Sequence, residues 1–171
     1  MSEKSGHPAG MDTERLYREC QVERLRRSGP GGQHRNKVET AIRLVHQPTG
    51  ISAEASERRS QEQNRQRALA RLRVNLALEI RCFVGEGDPA SALWQSRLQG
   101  GRIRVNGEHE DFATILAEAL DRVAAESFDV KAAAERLGCS ASQLVKLLKV
   151  EPRALAFVNR GREEAGLERL R

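Results

Sequence analysis

Gln21-Val22-Glu23-Arg24-Leu25-Arg26-Arg27-Ser28-Gly29-Pro30-Gly31-Gly32-Gln33-His34-Arg35-Asn36-Lys37 changes character halfway, and the fold is read outward from that change. As far as Arg27, Val22 and Leu25 stand among charges, the composition of a half-buried strand. From Ser28 the Gly-Pro-Gly-Gly cluster ends regular structure and predicts a loop. Downstream, Ile42 and Leu44 share one face of Thr40 to Val45, His46 to Gly50 holds a Pro-Thr-Gly turn, and Ile51, Ala53 and Ala55 alternate again. That pattern predicts a β-hairpin. Beyond Ser56 the period becomes helical, with Leu69, Leu72, Leu76 and Ile80 on one stripe and Arg58, Arg59, Arg65, Arg67, Arg71 and Arg73 over much of the remainder, so one long basic amphipathic helix is expected. Upstream, Asp12 or Thr13 caps a short helix carrying Leu16, Tyr17 and Cys20, and residues 1–10, small, polar and broken by Gly and Pro, read as a disordered tail.

The second half has a different grammar. Val84 to Asp88 reads as a linker, Pro89 suits the first turn of a short helix through Leu98, and Gly100-Gly101 breaks the chain before Arg102 to Asn106. Phe112, Ile115, Leu116, Ala119, Leu120 and Val123 give Glu110 to Ala125 a helical stripe, and two further helices are predicted, Val130 to Leu137 and Ala141 to Val150. Ala134, Gly138, Leu144 and Leu147 are spaced as in a helix-turn-helix, with Gly138 making the turn and Ser140 capping the next helix. The expected class is α+β: a small domain over 11–83 with a β-hairpin sheet on a long basic helix, a linker with a short helix over 84–107, and an all-α accessory domain over 108–171.

Composition narrows the partners. Of 171 residues 39% are hydrophobic and 31% charged, which suits one ordinary domain or two small ones. The net charge is +5, but residues 1–107 hold 19 basic against 12 acidic residues and 108–171 hold 10 against 12. The basic first half favours a polyanionic partner such as nucleic acid. With four Phe, one Trp and one Tyr, a base-stacking sheet is not expected. Cys20, Cys82 and Cys139 lack disulfide or zinc spacing, so neither metal nor cofactor is expected and a reducing, cytoplasmic setting fits. No apolar run approaches the roughly 18 residues of a membrane helix, so no membrane partner is expected.

Gly31 and Gly32 lack a Cβ and accept positive φ, so the backbone there can enter a space where any side chain would clash. Gln33 offers a backbone N–H for a developing oxyanion, a donor worth about 3 to 4 kcal/mol of barrier, and an amide that can orient a water. It cannot act as a base. No Ser–His–Asp or Cys–His arrangement is evident, so the remaining chemistry must come from elsewhere.

Arg27 to Lys37, the hairpin turn Pro48-Thr49-Gly50 and the run Glu57-Arg58-Arg59-Ser60-Gln61-Glu62-Gln63-Asn64 together resemble the catalytic domain of class I peptide chain release factors, in the order strand, glycine loop, hairpin, basic helix. The resemblance covers residues 20 to about 80. It implies hydrolysis of the peptidyl-tRNA ester by water in the ribosomal peptidyl-transferase centre, with Gly31, Gly32 and Gln33 as the catalytic tip. The implied partners are large-subunit rRNA of the ribosome, the P-site peptidyl-tRNA, and a glutamine methyltransferase acting on Gln33. Arg27, Ser28, His34, Arg35, Asn36 and Lys37 would flank the tip against RNA, and Arg58, Arg59 and Arg65 would add sequence-independent phosphate contacts. Arg35 stands where the family usually carries a small apolar residue.

Decoding members carry a Pro-x-Thr or Ser-Pro-Phe tripeptide in a separate domain, and this sequence has neither. A compact chain of this length has a radius of gyration of about 15 to 16 Å, so codon-independent release on stalled ribosomes is expected. Related small rescue hydrolases use a strongly basic tail, whereas Asn159 to Arg171 has four basic and three acidic residues. The competing reading is a non-catalytic nucleic-acid-binding regulator, working through Ser142, Gln143, Lys146 and Lys149 of the helix-turn-helix-like segment. His46 and His109 read as surface or turn residues.

Overall fold

In the computed structural model, which describes residues 6–26 and 40–171, the alternating segments form an antiparallel sheet in the order β1 (Cys20–Leu25), β2 (Ala41–His46), β3 (Ser52–Ala55). The predicted hairpin is β2 and β3, with Ile42 opposite Ala55 and Leu44 opposite Ala53, and all four are buried. Leu44 also faces Val22 across β1. The turn closes through the Gly50 N–H, which donates to the His46 carbonyl at 2.8 Å, with Gly50 at φ +73 where a side chain would be strained. His46 is not a surface residue. It is 2% exposed, with Nδ1 2.8 Å from the Thr49 hydroxyl and Nε2 3.1 Å from the Glu19 carboxylate. Burial without loss of hydrogen bonds requires both partners.

The long helix is α2 (Gln61–Glu79), and α1 (Thr13–Arg18) is capped by Asp12, whose carboxylate accepts from the Arg15 N–H at 3.0 Å. Ala68, Leu72 and Leu76 of α2 are fully buried, joined by Leu16 of α1. Leu69 and Ile80 are only half-buried, so the core stripe is rotated slightly from the expected one and begins instead at a polar residue, Asn64. At the N-terminal end the disordered-tail expectation fails for Pro8–Gly10. These residues form a 3₁₀ turn with Ala9 buried, and the Ala9 carbonyl accepts from the Arg73 guanidinium at 2.8 Å. A local reading misses this, because the ordering partner lies on a distant helix.

Two compact units result, Pro8–Leu76 and Ala77–Arg171 with His7. The division falls within α2, whereas composition changes at Val84 to Asp88, since composition marks where regular structure lapses and not where packing partners change. Residues 84–107 are packed into the second unit. They contain α3 (Ala92–Arg97), capped by Ser91, and a ribbon of β4 (Leu98–Gln99) and β5 (Arg102–Ile103). Trp94 of α3 is 1% exposed, and its indole N–H donates to the Leu137 carbonyl at 2.8 Å.

The helices of this unit are α4 (Phe112–Ala125), α5 (Val130–Leu137), α6 (Ala141–Val150) and α7 (Pro152–Glu164). All six apolar residues of the α4 stripe are buried. Gly138 ends α5 at φ +72, and the Ser140 hydroxyl accepts from the Gln143 N–H at 3.3 Å to open α6. Helix α7 has no counterpart in the sequence reading. It starts at Pro152 with Glu151 as cap, and Asn159 on it both accepts from the Leu170 N–H at 2.7 Å and donates to the Leu170 carbonyl at 3.2 Å. The architecture is α+β.

Candidate functional site

Gly31, Gly32 and Gln33, with Arg27, Ser28, His34, Arg35, Asn36 and Lys37, lie outside the described residues. The two ends of their segment do not. Arg26 follows β1 and Thr40 precedes β2, and Leu25 opposite Ala41 is the terminal pair of the β1–β2 ladder. The segment is therefore the connection between two antiparallel strands, rooted at one end of a three-stranded sheet. Ile42 opposite Ala55 puts the end of β3 at that same end. The residues that follow β3, Ser56 to Ser60, carry Arg58 and Arg59 away from the sheet beside the root of the glycine segment.

Arg58 and Arg59 are exposed, and their guanidinium groups have no partner among the described residues. Arg65 is placed differently. It is half-buried, 2.9 Å from the Glu62 carboxylate, and its guanidinium lies 4.7 Å above the Tyr17 ring. Hydrogen bonding to Arg65 holds the Glu62 carboxyl below its ordinary range. Two other arginines of α2 also serve the fold. Arg71 reaches the Glu57 carboxylate at 2.6 Å and the Glu54 carbonyl at 2.7 Å. Arg73 donates to the carbonyls of Ala9 and Met11 at 2.8 and 2.6 Å, and desolvation draws its pKa down. The structure thus sorts the arginines: Arg58 and Arg59 stand at the loop end of the sheet, and Arg65, Arg71 and Arg73 bind the helix to α1, β3 and the N-terminal turn.

Asn64 joins these parts. It is 0% exposed, its Oδ1 accepts from the Arg58 N–H at 2.9 Å, and its Nδ2 donates to the Arg58 carbonyl at 2.9 Å and the Thr40 carbonyl at 2.6 Å. Both of its amide hydrogens and its acceptor are engaged. Below it, the Ser60 hydroxyl accepts from the Gln63 N–H at 3.4 Å, which starts α2. Sequence reasoning quoted Asn64 without giving it a role. The available signal was a carboxamide on the apolar stripe, followed at intervals of four by Ala68, Leu72 and Leu76.

In the other unit, one group of metal-capable atoms comes together among the described residues: His7, Cys82 and Asp121, within 4.8 Å of one another. Arg81 already meets that carboxylate, with Nη1 3.1 Å from Asp121 Oδ1, and the same oxygen accepts from the Cys82 N–H at 3.0 Å. The His7 Nε2 is 3.1 Å from the Ile80 carbonyl. A divalent ion here would sit beside a fixed guanidinium, so the group is read as an ion-paired part of the core. Burial raises the Asp121 carboxyl to about 6.

Helix α6 presents Ser142, Lys146 and Lys149 as exposed residues, with Gln143 half-buried beside them. No helix among the described residues is long and apolar enough to cross a membrane.

Against known families, the RF-1 domain, the class I release factor domain that contains the Gly-Gly-Gln motif, matches residues 14–93. The match takes in all three strands of the sheet, α1 from Glu14, the whole of α2, the glycine segment and Asn64.

Proposed function

We propose that residues 14–93, which match the RF-1 domain, make this part of the chain release-factor-like, with the ribosome as the partner that the match implies. From that premise we propose that the protein hydrolyses the ester between a nascent peptide and P-site tRNA, without reading a codon, on stalled ribosomes. Gly31 and Gly32 let the backbone enter the peptidyl-transferase centre. Gln33 then aims its N–H at the developing oxyanion and its amide at the attacking water. The proton transfers and the rest of the cavity belong to the ribosome and the tRNA.

The observation that carries this reading is the rooting of the glycine segment at the end of the sheet from which Arg58 and Arg59 also depart. A tip that must enter an RNA cavity needs a stiff base and cations beside it to hold phosphates. Codon independence is supported by the absence of either decoding tripeptide in this sequence. Gln33 is also the residue a glutamine methyltransferase would modify.

The test is release of labelled peptide from purified ribosome complexes with a sense codon, a stop codon or no codon in the A site. Release at similar rates from all three, lost in Gln33→Ala and Gly32→Ala, is expected. No release by the unsubstituted protein from any complex ends the proposal.

A second reading has its own support in the α5–α6 pair, where Gly138 makes the left-handed turn and Lys146 and Lys149 share an exposed face. It makes the chain a nucleic-acid-binding regulator. Duplex DNA binding by the full chain that falls in Lys146→Ala/Lys149→Ala, together with no peptide release, would favour it.

A further inference from the structure

Asn64 lies one helical turn into α2, away from any exposed surface, and its carboxamide is shared between two separate stretches of backbone. One is Arg58, held by both its N–H and its carbonyl at 2.9 Å; the other is Thr40, held by its carbonyl at 2.6 Å. Arg58 belongs to the turn that carries the exposed Arg58–Arg59 pair. Thr40 is the residue at which the described chain resumes after the glycine segment. Neither stretch is fixed to the other by the sheet, because Thr40 precedes the first ladder residue of β2 and Arg58 follows the last of β3. The Asn64 side chain joins them through hydrogen bonds to both.

We infer that Asn64 is a positioning residue for peptide release: it fixes the point from which the glycine segment departs relative to the two arginines that would seat on RNA. The inference rests on the release reading above. Its physical basis is the steep dependence of an oriented reaction on placement, in which about 1 Å of misplacement costs on the order of 100-fold in rate. A buried carboxamide suits the task. It has a short, stiff stem, it is planar, and every hydrogen bond it makes is directional, so it holds two backbones in one geometry. An apolar residue here would complete the stripe of Ala68, Leu72 and Leu76 but leave the Thr40 carbonyl without this donor.

A role confined to stability would lower activity only as far as it lowers the folded fraction. A positioning role lowers the rate of the bound complex and leaves the concentration for half-saturation nearly unchanged, since Arg58 and Arg59 remain to bind. Single-turnover peptide release from one stalled complex is therefore measured against protein concentration for the unsubstituted protein, Asn64→Ala, Asn64→Asp and Leu72→Val. The last is the control, a core change about two turns further along the same helix, and thermal unfolding reports how far each variant is destabilised.

The expected result for Asn64→Ala is a maximal rate at least tenfold down and a half-saturating concentration within about threefold. Asn64→Asp keeps an acceptor for the Arg58 N–H but no ionised-state donor for Thr40, and should show the same rate loss. Leu72→Val should keep the full maximal rate. Full maximal rate in folded Asn64→Ala, or equal losses in Asn64→Ala and Leu72→Val at equal destabilisation, overturns the inference and leaves the release reading intact. No release by the unsubstituted protein overturns both.

Should neither Asn64 variant fold, proton exchange at the Asn64 side-chain amide of the unsubstituted protein decides. Exchange slowed well below that of exposed Gln and Asn side chains supports the clasp. Exchange at their rate overturns it.

Discussion

Replacing Arg58 and Arg59 together with alanine should flatten the salt dependence of ribosome binding, while replacing Arg73 should not. The double variant removes two positive charges from this unit and Arg73→Ala one, so net charge alone predicts half as much flattening, a slope change of about 0.7, for Arg73→Ala. The structure separates them. Arg58 and Arg59 are exposed and without partners among the described residues, whereas the Arg73 guanidinium is committed to the Ala9 and Met11 carbonyls at 2.8 and 2.6 Å. Each neutralised phosphate of single-stranded nucleic acid contributes about 0.7 to the slope of log affinity against log salt, so losing two contacts lowers the slope by roughly 1.4. Over an approximately fourfold rise in salt, the double variant should lose roughly sevenfold less affinity than the unsubstituted protein. Arg73→Ala should instead cost about 1 to 3 kcal/mol of stability, from buried carbonyls left unpaired. The assay is equilibrium binding of labelled protein to ribosomes across a potassium chloride series at constant magnesium, with urea unfolding run in parallel. An unchanged slope in Arg58→Ala/Arg59→Ala, or a flattening in Arg73→Ala of about half that of the double variant or more, would refute the sorting of the arginines.

Four further outcomes test the second unit. Trp94→Phe removes the donor 2.8 Å from the Leu137 carbonyl and part of a buried ring, and should cost about 2 to 4 kcal/mol by urea unfolding. Phe83→Ala, at a side chain 90% exposed, should stay within about 0.5 kcal/mol. Gly161→Ala puts a Cβ 2.3 Å from the Phe128 ring and should cost about 1 to 3 kcal/mol, with a normal melting temperature counting against the close approach of α7 to that ring. Burial raises Asp121 from 3.8 to about 6, so between those values the folded state binds the proton more tightly than the unfolded state. Its contribution to stability is therefore greatest below the lower value and falls as pH rises to the upper one, by on the order of 3 kcal/mol. Subtracting the pH profile of Asp121→Asn should isolate that slope, and parallel profiles would contradict it.

What the sequence disclosed follows from how local each signal is. Gly138 and Ser140 are stop and start marks two residues apart, and α5 and α6 have the predicted bounds. The apolar stripe of α4 and the turn before Gly50 are equally self-contained. The missed features depend on partners far along the chain. The Ala9 turn is ordered by Arg73, and His46 is buried because the distant Glu19 gives its Nε2 a partner while the nearby Thr49 serves Nδ1. Helix α7 had a visible start in Glu151-Pro152, but the charges at Arg160, Arg162, Glu163 and Glu164 mask a stripe limited to Ala154 and Val158. β4 and β5 have two residues each, too few for alternation to register. For the candidate site, order along the chain was legible, and spatial company was not. That Arg58 and Arg59 leave the sheet at the end where Arg26 and Thr40 lie requires the strand register, and that Arg65, Arg71 and Arg73 are engaged within the fold requires the acceptors.

The most direct test of the central claim is single-turnover peptide release by Gln33→Pro, which deletes the backbone N–H proposed to meet the oxyanion. The account predicts a rate about 10² to 10³ times below that of the unsubstituted protein, with ribosome binding retained. Release at the unsubstituted rate would contradict it.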